Sequence, residues 1–320
     1  MNDFSSCIPW LDKNILITGH RHPDGDAIGS VLALYNISKS LGGNPRIYSQ
    51  DVYTEDFRFL EGYENLELTI GRHEKFDACF VVDSGSIEML GKDFPDKDHR
   101  GVLIVIDHHS TRTPFGDNEV VDSTASACGI LIQELAKAAN CALTPSIASC
   151  LWLAVASDTG SFRYSSTDPR TMRYSGELLE AGADPWQTAS VLYESNPTER
   201  MKLLGFSLRT LEVRLGGKAA SMMLTNSMIA ECGTDSEQAS GFVNYPRSIR
   251  GVEIAFFVRE DEVPGKVRVS FRSRGKFSVD NIASSLGGGG HPNAAGATFE
   301  CSISCAVDHI YKIIRETYGW

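Results

Sequence analysis

Several familiar signatures are missing from this sequence of 320 residues. Its eight cysteines form no C-x-x-C pair and lie mostly within apolar runs, which argues against a thiol redox motif and predicts reduced, structural thiols. No apolar run approaches the roughly 20 residues that cross a bilayer. The first ten residues also lack a basic segment followed by a long apolar stretch. We therefore expect no membrane association and a cytoplasmic location.

Positive charge is also scarce. The chain has 30 Lys and Arg against 41 Asp and Glu, a net charge of -11. Proteins that hold long duplexes need many cationic contacts to phosphates, so long duplex nucleic acid is an unfavourable partner. The negative net charge is still compatible with small phosphorylated ligands, because metal ions and a few arginines can neutralise them locally. A serine nucleophile elbow is absent, and Thr18-Gly19-His20 is not a Walker loop.

The first half alternates short apolar runs with helical patterns, which predicts an α/β fold with a parallel sheet. The expected strands are 14–18, 46–49, 78–82 and 102–106. The expected helices are 27–41, 124–139, 145–157, 169–181 and 185–193. Proline near several helix starts supports these assignments.

The second half has the pattern of a smaller α+β domain. Strands are expected over 219–225, 252–258, 267–272 and 297–301, and helices over 279–286 and 304–318. An amphipathic helix over 197–215 leads to Gly216-Gly217. We predict a catalytic domain over 1–195, a helical linker over 196–216 and a substrate-binding domain over 217–320, with the active site in the cleft between the domains.

Metal-binding residue types follow three predicted strands of the first domain and one of its helices. These residues are His20, Asp24, Asp26, Asp83, Asp107, His108, His109 and Asp158. Ligands bind beyond the carboxyl ends of strands in open α/β sheets, so we expect these side chains to converge there. A lone Asp after a strand is more commonly a turn former or a helix cap. So many carboxylates and imidazoles on one rim would repel each other unless cations neutralised them.

The loop around Pro23 has two interpretations. Pro23 and Gly25 are expected to shape a tight turn that aims His20, Asp24 and Asp26 inward. Asp26 also precedes the predicted helix, so it is a candidate N-cap as well as a metal ligand.

These residues resemble the ordered motifs of the DHH phosphoesterases. The motifs are His20 with Asp24-Gly25-Asp26-Ala27-Ile28-Gly29-Ser30, then Val81-Val82-Asp83, Asp107-His108-His109 and Ser157-Asp158-Thr159-Gly160. The C-terminal Gly287-Gly288-Gly289-Gly290-His291-Pro292-Asn293-Ala294-Ala295-Gly296 resembles the glycine-rich motif of the associated DHHA1 domain. Five ordered motifs are far more specific than a single Asp-His-His.

The resemblance implies a binuclear metal centre. His20 and Asp24 would hold one metal ion, Asp26, His108 and Asp158 would hold the other, and Asp83 would bridge them. Hard oxygen ligands with only two imidazoles and no thiolate favour Mn²⁺ or Mg²⁺ over zinc. The resemblance implies Mn²⁺ as the more favoured ion, because the family usually prefers manganese. Asp107 would orient a histidine ring, and His109 would face the phosphate as a hydrogen-bond donor or general acid. No protein nucleophile is then required.

The second domain is expected to bind substrate. Consecutive glycines Gly288, Gly289 and Gly290 would offer backbone N–H groups as an anion nest beside His291. Arg272 and Arg274 offer planar forks for phosphate. A flexible glycine linker with solvated arginines is the alternative. Arg163 is a further phosphate or base contact, and Phe162 and Tyr164 beside it are candidates for base stacking or for packing on their own loop.

Within the family, a compact chain of this kind resembles the nanoRNases. That implies cleavage of RNA of two to about five nucleotides and removal of the 3′-phosphate from adenosine 3′,5′-bisphosphate (pAp). The alternatives are a phosphodiesterase for cyclic dinucleotides or for linear dimers such as pApA, and a non-catalytic nucleotide sensor. Complete motifs argue against the sensor. A pyrophosphatase or exopolyphosphatase and a RecJ-like exonuclease fit the C-terminal motif and the chain length less well. Association into a homodimer stays open.

Overall fold

The computed structural model describes residues 2–320. The chain divides into two compact units, Met1–Ser195 and Asn196–Trp320. Each unit contains a six-stranded sheet with helices packed against it. The predicted α/β fold, with one parallel sheet and a second, smaller α+β unit, is confirmed.

The sheet of the first unit is parallel throughout, with strand order β3-β2-β1-β4-β5-β6. Its strands are β1 (Asn14–Thr18), β2 (Asn44–Tyr48), β3 (Leu66–Glu67), β4 (Ala78–Val82), β5 (Val102–Asp107) and β6 (Asn118–Val121). The three central strands are apolar runs that are buried almost from end to end, as expected for a sheet covered on both faces. β3 and β6, at the two edges, were not predicted.

The helices of the first unit are α1 (Gly25–Ser40), α2 (Cys128–Ala138), α3 (Pro145–Asp158), α4 (Pro169–Glu180) and α5 (Pro185–Ala189). The predicted helix 124–139 begins later, at Cys128, because Thr124 bonds to the Asp122 side chain in a loop. The predicted helix 185–193 is present, but its helix type changes at Ser190. It consists of α5 and a π-helical turn, Ser190–Glu194.

The second unit is built on a mixed sheet with strand order β11-β12-β10-β9-β8-β7. Its strands are β7 (Glu212–Arg214), β8 (Ala219–Leu224), β9 (Ile254–Glu260), β10 (Lys266–Ser273), β11 (Gly289–His291) and β12 (Ala294–Glu300). Only the β8–β9 pair is parallel. Its helices are α6 (Thr198–Leu208), α7 (Asn226–Cys232), α8 (Asn244–Arg247), α9 (Asp280–Ser285) and α10 (Ile303–Tyr318).

The segment predicted as a helical linker packs into the second unit. Its helix, expected over 197–215, ends at Leu208. The Thr210 hydroxyl then accepts a hydrogen bond from the Met223 N–H at 2.8 Å, which draws the following residues into edge strand β7. Leu203 and Leu204 of α6 are buried against the sheet of the second unit.

Within residues 2–320, no helix combines the length and the apolar character that crossing a membrane requires.

Candidate metal centre

Three neighbouring strands deliver most of the predicted ligands to one edge of the first sheet. β1, β4 and β5 lie side by side and run parallel, so their carboxyl ends meet. His20 follows β1, Asp83 follows β4, and Asp107 closes β5 just before His108. Parallel pairing therefore gathers side chains from sequence positions that are far apart.

Close helix packing adds the remaining carboxylates. A Cβ atom on Gly29 of α1 would lie 2.4 Å from the Cys150 carbonyl oxygen of α3, so only glycine allows this approach. A Cβ on Gly25 would similarly lie 2.6 Å from Ser157 Oγ. Gly25 thus acts through close packing at the start of α1, and it lies in the helix rather than in the predicted turn. This packing places Asp26 near Asp158, the last residue of α3.

Asp24 occupies the N-cap position that was considered for Asp26. Its Oδ1 accepts hydrogen bonds from the backbone N–H groups of Asp26 at 3.0 Å and Ala27 at 3.1 Å. Asp26 is already inside the first helical turn and is fully buried. The same Oδ1 atom lies 3.9 Å from His20 Nε2, so the backbone hydrogen bonds hold the Asp24 carboxylate beside that histidine.

The predicted ligands form two groups, with the Asp83 carboxylate between them. His20, Asp24 and Asp83 offer ligand atoms within 4.8 Å of one another, and so do Asp26, His108 and Asp158. His20 Nε2 lies 3.6 Å from Asp83 Oδ2, while His108 Nε2 lies 3.4 Å from Asp83 Oδ1. The two Asp83 oxygens therefore face one group each.

Hydrogen bonds fix the second group in place. Asp26 accepts from the N–H groups of Cys128 at 2.6 Å and Gly129 at 3.0 Å, at the start of α2. The His108 Nδ1 atom lies 3.1 Å from the Ala125 carbonyl oxygen, which leaves Nε2 directed at Asp158 Oδ2, 3.3 Å away. Such outer contacts set the tautomer of a ligand histidine.

Asp107 and His109 form a separate pair beside these groups. Asp107 is fully buried, and its Oδ1 lies 2.7 Å from His109 Nδ1. A third group of ligand atoms, from Asp83, His108 and His109, also lies within 4.8 Å. Because His109 Nδ1 already contacts Asp107, we regard this nitrogen as a hydrogen-bonding atom rather than a metal ligand.

The electrostatics of the cluster fit a cation-binding site. Burial raises the pKa of Asp26 well above its usual value, and burial together with Asp24 raises the pKa of Asp158 to about 7. Despite the opposing effect of burial, the nearby Asp83 carboxylate raises the pKa of His108 to about 11. Without cations, these acids thus ionise only at a cost in free energy.

The burial, hydrogen bonding and backbone conformation of Asp83 also fit a cation-binding site. The residue is 2% exposed, and among residues 2–320 its Oδ1 atom has no hydrogen-bond partner. Its backbone φ of 55° lies in the left-handed region, which is strained for a non-glycine residue. A buried, incompletely bonded carboxylate held in a strained conformation suits a metal ligand.

The predicted substrate-binding residues lie in a different environment. Arg272 is on β10, Arg274 follows that strand, and the segment 288–291 is exposed. The glycine run differs from the expected anion nest. The Gly288 N–H bonds to the Ala283 carbonyl oxygen at 2.8 Å, and Gly289–His291 form edge strand β11 paired with β12.

Arg163 belongs to the first unit and follows α3. Its Nε donates to the Gly160 carbonyl oxygen at 2.6 Å, and its guanidinium lies over the Tyr193 ring. Phe162 packs on Trp152, with ring centroids 5.4 Å apart, so of the two aromatic candidates for base stacking it belongs to the core. Tyr164 is 40% exposed.

Sequence reasoning missed three supporting groups. The Ala125 carbonyl that contacts His108 carries no residue-type signal, because any residue supplies a carbonyl. Asp51 accepts a hydrogen bond at 2.6 Å from the backbone of His22, a residue with a left-handed φ of 53°. Arg112 lies 3.5 Å from Asp107, and its position three residues after His109 was the available signal.

Comparisons with known proteins agree with this geometry. The DHH family N-terminal domain matches residues 14–155, and the DHHA1 domain matches residues 216–317. The chain is 32% identical over 308 residues to the bifunctional oligoribonuclease and PAP phosphatase NrnA of Thermus thermophilus, covering 96% of this chain and 90% of that protein. It is 28% identical over 292 residues to the protein of the same description from Bacillus subtilis, covering 90% of each.

A solved structure is similar over nearly the whole length. The crystal structure of an exopolyphosphatase-related protein from Bacteroides fragilis matches with a TM-score of 0.88 at 26% identity, covering 97% of this chain and 94% of that one.

Proposed function

This chain is a member of the DHH family with a C-terminal DHHA1 domain, and we propose that it hydrolyses very short oligoribonucleotides to mononucleotides and removes the 3′-phosphate of pAp. Its similarity to the two NrnA proteins extends over both domains, so the unit that would carry the metal ions and the unit that would bind substrate are both covered.

The observation that carries this proposal is the position of Asp83 between two ligand groups. One carboxylate faces His20 through Oδ2 and His108 through Oδ1, which supports two adjacent cation sites with a shared ligand. When bound, two divalent ions supply Lewis acidity for activating water and for balancing charge on a phosphate. The carboxylate-rich donor set supports Mn²⁺ or Mg²⁺ over zinc, and membership of the DHH family favours Mn²⁺ of the two.

The surrounding residues have distinct proposed roles. His20 and Asp24 would hold one ion, Asp26, His108 and Asp158 would hold the other, and Asp83 would be their shared ligand. Asp107 orients the His109 ring through the 2.7 Å contact with Nδ1, and His109 hydrogen-bonds to the substrate phosphate or to its leaving oxygen.

Substrate binding is assigned to groups outside the metal centre. In the second unit, Arg272, Arg274 and His291 contribute cationic or hydrogen-bonding side chains. Of the three glycines Gly288, Gly289 and Gly290, only Gly289 faces open space, so the backbone there is the proposed point of close approach to a phosphate. Arg163 in the first unit is proposed to contact a phosphate or a base. The eight unpaired cysteines are in keeping with action in the cytoplasm.

A parallel assay with purified protein and Mn²⁺ tests the proposal. The substrates are RNA from dimers to 24-mers, pAp, pApA, cyclic dinucleotides and polyphosphate, and kcat/KM is compared across them. We expect the highest values for the shortest RNAs, with measurable turnover of pAp. Preference for cyclic dinucleotides or pApA would replace the proposal with the phosphodiesterase alternative. Tight nucleotide binding without turnover of any substrate would identify a sensor.

A further inference from the structure

A buried arginine lies next to the metal centre without belonging to it. The Arg112 side chain is 12% exposed, and its Nε atom lies 3.5 Å from Asp107 Oδ2. The loop that carries it is fixed against the segment after β4, because the Thr113 N–H donates to the Gly85 carbonyl oxygen at 3.0 Å. Arg112 is therefore held close to the end of β5, where the candidate ligands begin.

The Arg112 guanidinium is also held by the Glu119 carboxylate. Arg112 Nη1 donates to Glu119 Oε2 at 2.8 Å. The other Glu119 oxygen accepts the N–H groups of Phe115 and Gly116, both at 2.8 Å. Hydrogen bonding to Arg112 lowers the pKa of Glu119 to about 2, against the opposing effect of partial burial. Glu119 thus fixes one edge of the guanidinium and leaves the other edge for Asp107.

The bonding of Asp107 is unequal between its two oxygens. Oδ1 accepts the backbone N–H groups of His108 at 2.9 Å and His109 at 3.3 Å, and it contacts His109 Nδ1. Oδ2 is buried without a hydrogen bond from residues 2–320, and so are Nε and Nη2 of Arg112. A fully buried carboxylate needs a compensating charge, and the nearby guanidinium provides one.

We propose that Arg112 is a positioning residue of the hydrolytic reaction: it holds the Asp107 carboxylate in place, and Asp107 in turn orients the His109 ring toward the substrate phosphate. The inference rests on the proposed function and deepens it. Within residues 2–320, the ion pairs of Arg112 are with Asp107 and Glu119, neither of which is a proposed metal ligand, so its contribution would act through His109. Removing Arg112 leaves the Asp107 carboxylate without its counter-ion and frees the ring to reorient.

Arg100, near the start of β5, is a matched control for Arg112, near the end of β5. It distinguishes a positioning role in the reaction from an ion pair that only stabilises the fold. Arg100 is likewise largely buried, and its Nη1 donates to Asp117 Oδ2 at 2.8 Å beside the start of β5. The Asp117 carboxylate also accepts the Leu103 N–H at 2.9 Å. Both arginines pair with an acid near β5, but only Arg112 reaches the Asp107–His109 pair.

The experiment compares Arg112→Met with Arg100→Met in the full chain. For Arg112→Met, kcat on dinucleotide RNA is expected to fall about 10- to 100-fold, the usual effect of losing an outer contact to a functional histidine, with little change in KM. Mn²⁺ affinity, measured by calorimetry, is expected to be unchanged. Arg100→Met should keep the wild-type kcat while losing thermal stability. Arg112→Lys, which retains the positive charge, should recover part of the kcat.

A second readout does not depend on activity. In the metal-free protein labelled with ¹⁵N-histidine, the His109 Nδ1–H bonded to Asp107 should give a downfield proton resonance. It should weaken or shift in Arg112→Met and persist in Arg100→Met. An unchanged resonance together with wild-type kcat in Arg112→Met would overturn the inference. If Arg112→Met does not fold, Arg112→Gln faces the same comparisons. Inactivity of the wild type on every substrate would refute the proposed function, while the resonance comparison would still decide whether Arg112 positions His109.

Discussion

The candidate metal centre of the first unit differs in burial from the proposed phosphate-binding surface of the second unit. That surface is defined by Arg272, Arg274 and residues 288–291. Asp26, Asp83 and Asp107 are almost inaccessible and are held by backbone N–H groups or neighbouring side chains. The phosphate-binding surface is largely exposed, and its cationic groups need no rigid burial. Buried charge is costly unless it is neutralised, whereas exposed charge is screened by water. We therefore expect substitutions to act through turnover in the first region and through affinity in the second.

The largest effect is expected at Asp83. Asp83→Asn tolerates the left-handed φ of 55° but cannot supply a charged ligand to both groups. We expect kcat to fall by about 1,000-fold or more, since several kcal/mol of charge stabilisation are lost. Circular dichroism should show a folded protein. The control is Asp77→Asn, at the amino end of β4, where the Asp77 carboxylate accepts the Asn14 N–H at 3.0 Å. Equal losses in both variants would contradict the role of Asp83.

A smaller effect on a different kinetic constant is expected at Arg272. Arg272→Met should raise KM for dinucleotide RNA by about 10- to 100-fold, corresponding to one or two charge-assisted hydrogen bonds. The control is Arg268→Met on the same face of β10, because Arg268 is already paired with Asp261 at 2.5 Å. Steady-state kinetics on both variants check this. An unchanged KM in Arg272→Met would remove that residue from the phosphate-binding surface.

Substitutions at the adjacent glycines Gly288 and Gly289 test whether the exposed phosphate-binding surface tolerates an added side chain without loss of stability. A Cβ on Gly288 would lie 2.1 Å from the Gly296 carbonyl oxygen, whereas a Cβ on Gly289 would meet nothing within 4 Å. Gly288→Ala should destabilise the second unit by about 1–3 kcal/mol, the usual cost of overpacking. Gly289→Ala should be close to neutral. Urea denaturation of both variants measures the difference, and equal stability would mean that the β11–β12 pair can separate freely.

The smallest effect concerns the pH dependence of stability in the metal-free protein. Burial raises the pKa of Asp158 to about 7, so the folded state holds a proton that the unfolded state releases at lower pH. Stability from this group is present at low pH and is lost as pH rises from about 4 to 7. In EDTA, the Tm of Asp158→Asn should fall less across this range than that of wild type, by about 5 °C.

Saturating Mn²⁺ should make the wild type more stable than Asp158→Asn. A bound cation compensates the ionised Asp158 carboxylate, so the wild type should then have the higher Tm. Thermal melts from pH 4 to 8, with EDTA or with Mn²⁺, check both statements. A Tm that Mn²⁺ leaves unchanged in the wild type would contradict a metal site in this cluster.

Local patterns predicted the elements that carry the site. The continuous apolar run 78–82 forms β4 with the expected bounds, because a strand buried on both faces needs apolar residues throughout. Patterns failed where a contact with a distant segment decides the structure. The periodicity of α6 continues past Leu208, but the Thr210 hydroxyl bonds with Met223 and the chain becomes a strand. The glycines of β11 have no strand propensity of their own, and they form a strand because they pair with β12.

By itself, the sequence determined the residue types of the candidate metal centre and their places at the carboxyl ends of β1, β4, β5 and α3. Parallel strands bring their carboxyl ends to one edge of the sheet. Only the tertiary structure decided which groups support them. The Ala125 carbonyl that faces His108 and the guanidinium of Arg112 beside Asp107 arrive through loop paths that no local pattern encodes. The distances within the cluster were likewise set by packing, since α1 can approach α3 closely only where glycine leaves room for the opposing backbone.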